Sequence, residues 1–114
     1  MTPRPIVLVE DNDDVREILE RLLVLARHQV AAAADGPGGI ELLFQGGPVF
    51  GLIDLGLPKM DGFEVAKQVR RKQGTPPPIL IALTGHDLQR PEVLEAGFDE
   101  LPYLHQVLQR FERA

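Results

Sequence analysis

The residues able to do chemistry in this chain are few, and they sit after apolar runs. Asp54 follows the apolar segment 49–53 and precedes Leu55-Gly56-Leu57-Pro58-Lys59-Met60-Asp61-Gly62, a loop stiffened by proline and bent by glycine. An isolated buried charge costs several kcal/mol or more, so a carboxylate emerging from buried residues needs a partner or a task. Glu10-Asp11 follows the apolar run Ile6-Val7-Leu8-Val9, and Thr84 follows Ile79-Leu80-Ile81-Ala82-Leu83. If the three runs are neighbouring strands, three acids and a hydroxyl meet, and such a cluster repels itself and asks for a cation. Its donors are all oxygens, with no cysteine and no nearby histidine, which suits a hard ion that keeps several waters: Mg²⁺, or Mn²⁺ in its place. One carboxylate can then act as nucleophile toward a phosphoryl group whose oxygens the metal neutralises, with Thr84 donating a hydrogen bond to one of them. Each piece alone has an ordinary meaning, an acid pair as a helix cap and a lone Asp as a turn residue. Their conjunction at three strand ends outweighs those meanings.

The elements that must position these residues follow from periodicity. The run 6–9 is short, β-branched and bounded by Pro5 and acids, as a strand buried on both faces should be. Asp13 or Asp14 is placed to cap the next helix, where Val15, Ile18, Leu19, Leu22, Leu23 and Leu25 recur at helical spacing and the helix ends near Arg27. Residues 30–34 form a weaker strand because alanine is a modest β former. Gly36-Pro37-Gly38-Gly39 opens a short helix through Ile40, Leu42, Leu43 and Phe44, closed by Gly46-Gly47-Pro48. Residues 49–53 make a third strand with Asp54 last. Residues 63–72 form a helix turning Phe63, Val65, Ala66 and Val69 inward, with a cationic end that suits the helix dipole. Residues 79–83 form a fourth strand, 91–96 a short helix closed by Gly97, 98–101 a poor fifth strand, and Leu104, Val107, Leu108 and Phe111 mark a final helix. Alternating strands and helices imply right-handed βαβ units, so the expected fold is a three-layer α/β sandwich around a five-stranded parallel sheet. In such a sheet the functional crevice lies beyond the carboxyl ends of the strands.

With 114 residues the chain is expected to form one domain, 1–114, with a single core. Twelve Lys and Arg against 17 Asp and Glu give a formal charge of -5, which argues against non-specific attraction to nucleic acid or anionic membrane. The absence of cysteine excludes disulfides, thiolate metal sites and thiol catalysis. No apolar run approaches the roughly 18 residues of a membrane span, and "MTPRP" is no signal peptide start, so a cytoplasmic location without membrane insertion is expected.

The motifs resemble those of response regulator receiver domains over nearly the whole chain. "VLVEDNDDVREILERLL" is similar to the family's first strand, acid pair and first helix, and "LIDLGLPKMDGFEV" to its phosphoacceptor segment. "ALTG" followed by "EAGFD" is similar to the switch-threonine strand and the helix after it, particularly in receivers of hybrid sensor kinases. The resemblance implies the flavodoxin-like receiver topology, Asp54 as phosphoacceptor, Glu10, Asp11 and Asp54 with the Gly56 carbonyl as Mg²⁺ ligands, and Thr84 as the switch hydroxyl. It also implies a partner, a histidine kinase or histidine phosphotransfer protein, and a monomer or weak homodimer without direct contact to nucleic acid. Any enzymatic activity would be self-phosphorylation and slow hydrolysis, with no metabolic substrate.

One feature departs from the family. Receivers carry a lysine followed by proline at the end of strand five, and this chain has no lysine beyond Lys72. Counting from Thr84 places Gln106 in the lysine position and Tyr103 in the switch-aromatic position. Aligning "AGFDELP" instead makes Leu101 the replacement and Pro102 the family's proline, with a truncated fifth strand. His86 or His105 would substitute for the lost cation only in part, and the favoured reading of each is an ordinary solvent-exposed loop or helix residue. The expected outcome is intact Mg²⁺ binding, with phosphorylation coupled to weakened switching; the alternative is a pseudo-receiver, an interaction module independent of phosphorylation. A phosphohydrolase using Asp54 is disfavoured, because the second acid it needs two residues later is Gly56.

Overall fold

The computed structural model describes residues 5–45, 50–72, 77–83 and 90–99. Its elements run in the order β1 (Ile6–Val9), α1 (Asp13–Leu25), β2 (Val30–Ala33), α2 (Gly36–Leu43), β3 (Phe50–Asp54), α3 (Gly62–Arg71), β4 (Ile79–Leu83) and α4 (Arg90–Ala96). The four strands form one all-parallel sheet in the order β2-β1-β3-β4. That is the flavodoxin-like receiver order, which reverses direction between β1 and β3 and so opens a crevice at their carboxyl ends.

The strands read as unbroken apolar runs because both sheet faces are covered. Val7, Val9, Ile53, Leu80 and Ala82 pack on one side with Leu43 of α2, Val65, Ala66 and Val69 of α3, and Val93 and Ala96 of α4. Ile6, Leu8, Leu52 and Ile81 pack on the other side with Leu23 and Leu19 of α1. Alternate residues of each strand therefore serve opposite layers, as the twofold period of a pleated strand requires. Helix α2 lies tight against β1, since a Cβ at Gly39 would strike the Val9 side chain.

Two expectations about α1 change. Its N-cap is Asn12, whose side chain accepts from the Val15 N–H at 3.0 Å, while Asp13 and Asp14 occupy the first turn, where their charge suits the helix dipole. Of the apolar residues at helical spacing, only Leu23 is buried and Leu19 partly so; Val15, Ile18, Leu22 and Leu25 are exposed. The helix carries two adjacent apolar stripes, and only one faces the sheet. It ends at Leu25 in a Schellman arrangement, His28 N–H to Leu23 C=O at 3.1 Å and Arg27 N–H to Val24 C=O at 2.9 Å, with Arg27 at φ 70° where glycine is usual.

Beyond α4, the described residues Phe98 and Asp99 are not part of a strand. Asp99 nevertheless bonds the outer edge of β4: its N–H donates to the Leu80 carbonyl at 2.7 Å, and its Oδ2 accepts from the Leu80 N–H at 2.7 Å. Arg70 locks this junction, donating to the Gly97 and Pro78 carbonyls at 2.8 Å each and to Asp99 Oδ2 at 3.1 Å. The rest of the expected fifth strand and the final helix lie outside the described residues.

Candidate metal centre and acceptor carboxylate

The sheet register brings the acids together. Val9 of β1 pairs with Ile53 of β3, so Glu10 and Asp54, each one residue further on, emerge at equivalent positions of adjacent parallel strands. Asp54 in turn pairs with Leu83, the last residue of β4 and the one before Thr84. Glu10, Asp11 and Asp54 each offer a carboxylate oxygen within 4.8 Å of the others. They are respectively buried, exposed and partly buried, so the cluster opens outward through Asp11.

The loop after β3 is built to hold Asp54. The Gly56 N–H donates to Asp54 Oδ1 at 2.9 Å, and the Leu55 N–H extends the β ladder to the Leu83 carbonyl at 3.1 Å. The Met60 N–H reaches back to the Pro58 carbonyl at 2.7 Å across Lys59, which adopts φ 66°, a γ-turn with a non-glycine residue at its centre. Asp61 then caps α3 through the Glu64 N–H at 2.9 Å. Gly62 is required by close approach: a Cβ there would collide with the Asp54 carbonyl oxygen and lie 2.8 Å from Leu55 Cα.

The electrostatics of the cluster are those of crowded anions. Burial, then a hydrogen bond to Asp54, then the charges of Asp54 and Asp11, push the Glu10 carboxyl up to about 8. Its Oε2 is buried without a hydrogen-bond partner. A buried, unsatisfied carboxylate oxygen among two further acids fits a hard divalent cation, which would satisfy that oxygen and displace the proton.

Of the residues singled out from sequence, Glu10, Asp11 and Asp54 converge, and Gly56 lies against Asp54 through its amide. Thr84, Tyr103 and Gln106, with His86, Leu101, Pro102 and His105, lie outside the described residues. Sequence reasoning overlooked Arg16, whose Nη1 donates to the Glu10 carbonyl at 3.0 Å. The signal for it was available: a cation six positions after Glu10, early in the helix that follows the acids.

Comparisons with known proteins agree with this geometry. The family model for the response regulator receiver domain matches residues 6–101. Transcriptional regulatory protein AfsQ1 of Streptomyces coelicolor is 38% identical over 95 residues, 83% of this chain and 42% of that protein, so the chain spans less than half of that relative's length. The receiver domain of sensor histidine kinase PA1611 from Pseudomonas aeruginosa PAO1, solved with a magnesium ion coordinated in its active site cleft, matches with a TM-score of 0.74 at 27% identity, covering 99% of this chain and all of that one. The co-crystal structure of the Saccharomyces cerevisiae histidine phosphotransfer signaling protein Ypd1 and the receiver domain of its downstream response regulator Ssk1 matches with a TM-score of 0.73 at 26% identity, covering 97% of this chain and 90% of that one. By its matched residues, strand order and acid cluster, the chain belongs to the response regulator receiver domain family of two-component systems.

Proposed function

We propose that the chain is a phosphoacceptor receiver domain spanning 1–114 that takes a phosphoryl group onto Asp54 from the phosphohistidine of a histidine kinase or phosphotransfer protein. The observation that carries this reading is the convergence of Glu10, Asp11 and Asp54 at adjacent strand ends around an unsatisfied carboxylate oxygen. Glu10, Asp11 and Asp54, with the Gly56 carbonyl, would hold Mg²⁺. When bound, the ion neutralises phosphoryl oxygens and favours ionised carboxylates.

The chain's own residues do the rest. One Asp54 carboxylate oxygen attacks phosphorus as the phosphorus–nitrogen bond of the donor imidazole breaks, and the departing imidazole recovers its electron pair and takes up a proton from solvent. The Gly56 N–H, bonded to Asp54 Oδ1, fixes the carboxylate so that its other oxygen is the one presented for attack. Thr84, next after Leu83 at the end of β4, is assigned the switch hydroxyl, and Tyr103 and Gln106 the positions of the switch aromatic and of the missing lysine. The exposed stripe of Val15, Ile18, Leu22 and Leu25 begins four residues after Asp11 and is assigned to the phosphodonor protein. Among the described residues no helix is long and apolar enough to cross a membrane, and the assigned location is the cytoplasm.

Incubation with phosphoramidate and Mg²⁺ followed by mass spectrometry tests this reading. One phosphoryl adduct on wild type and none on Asp54→Asn supports it. No adduct on wild type favours the second reading, a pseudo-receiver, which the lack of any lysine after Lys72 recommends. That reading expects partner binding to be indifferent to beryllofluoride.

A further inference from the structure

Glu10 and Asp11 lie on the short turn between β1 and α1, so their aim depends on what holds that turn. Its upstream end is tied to β2, where the Glu10 N–H donates to the Ala33 carbonyl at 3.0 Å. Its downstream end is the Asn12 cap, which accepts through its side chain from the Val15 N–H and through its carbonyl from the Arg16 N–H at 2.8 Å. The Glu10 carbonyl, between these ends, is bonded by the Arg16 guanidinium at 3.0 Å. Arg16 thus grips both sides of the turn that carries the two acids, one with its backbone and one with its side chain.

The environment makes this grip durable. The Arg16 side chain is 22% exposed, whereas its other partner, Asp13 at 2.6 Å, is 87% exposed and worth little as a surface ion pair. A planar guanidinium can hold the carbonyl and the carboxylate at once with two nitrogens, which an ammonium matches poorly.

We propose that Arg16 is a positioning residue of the acid pocket: by bonding the Glu10 carbonyl it fixes the turn that aims Glu10 and Asp11 toward Asp54. The inference rests on the receiver reading for its metal consequence, and on geometry alone for its effect on the turn. Two measurements separate these. Hydrogen exchange of the segment 10–16 in metal-free protein reads the turn; calorimetric Mg²⁺ titration reads the pocket.

Arg16→Met keeps the apolar stem and removes the fork. It is expected to speed exchange of 10–16 and to raise the Mg²⁺ dissociation constant by about tenfold or more, the usual cost of losing a group that orients a metal ligand. Arg16→Lys should fall between Arg16→Met and wild type, and stands in should Arg16→Met not fold. Asp13→Asn, which spares the Glu10 bond, and Arg21→Gln, on the exposed side of the same helix, should match wild type in both measurements. Unchanged exchange in Arg16→Met, or a dissociation constant within twofold of wild type, overturns the proposal even if the melting temperature drops. If wild type takes up no Mg²⁺, the metal reading fails and the exchange result alone decides the role of Arg16.

Discussion

Glu10 and Asp54 stand one residue past the Val9–Ile53 register pair of two adjacent parallel strands, and that shared register crowds two carboxyl groups into one crevice. The Glu10 proton is therefore held up to about 8 from an ordinary value of 4.5, first by burial and then by Asp54. In the metal-free protein the folded state keeps a proton on Glu10 that the unfolded chain releases near 4.5. Its favourable contribution is complete below about 4.5 and is lost as pH rises to about 8, so stability falls across that window. Thermal melts in EDTA should show the decline in wild type and a flatter profile in Glu10→Gln. Mg²⁺ competes with the same proton, so its affinity should rise with pH up to about 8.

Gly62 should be irreplaceable. Any Cβ at this position meets the backbone of Asp54 and Leu55, and backbone cannot step aside as a side-chain tip can. Gly62→Ala is expected to cost about 1–3 kcal/mol in urea unfolding, the range of overpacked sites, and to weaken Mg²⁺ binding because the collision is with Asp54 itself.

Asp99 serves the edge of β4 with both backbone and side chain, so its removal leaves the Leu80 N–H without its acceptor. Asp99→Ala should destabilise the fold by about 1–3 kcal/mol. Arg70→Met should overlap with it rather than add, because both act on one junction. A double-mutant cycle in urea checks the coupling.

The docking role proposed for the exposed α1 stripe can be tested apart from the chemistry. Ile18 is 58% exposed, so Ile18→Asp should leave the melting temperature nearly unchanged. It should leave phosphoramidate labelling of Asp54 intact while slowing transfer from a phosphohistidine protein. Equal losses with both donors would mean that the stripe is not a docking face.

The parts of the fold that sequence made legible are those with one dominant physical constraint. The runs 6–9 and 79–83 had to be strands buried on both faces, and Glu10, Asp11 and Asp54 had to meet once those strands were parallel and adjacent. Helix α1 was legible as a helix but not in its orientation, because Val15, Ile18 and Leu22 satisfy the same spacing as Leu19 and Leu23 and only packing selects between the stripes. Its cap was misplaced by one or two residues because Asn12, Asp13 and Asp14 are all good caps. Asp99 was not legible, since it acts on backbone groups of a residue that no periodicity links to it, and Arg16 was signalled only as a cation six positions after Glu10, with nothing to show that it reaches the Glu10 carbonyl.

The claim on which the account turns is that Glu10, Asp11 and Asp54 share one divalent ion. Calorimetric titration of Mg²⁺ into metal-free protein near pH 8.5, about half a unit above the raised Glu10 value, tests it most directly. One ion per chain is expected in wild type, with loss of that binding in Asp11→Asn and Asp54→Asn. Absence of binding in wild type, or binding that survives both substitutions unchanged, would contradict it.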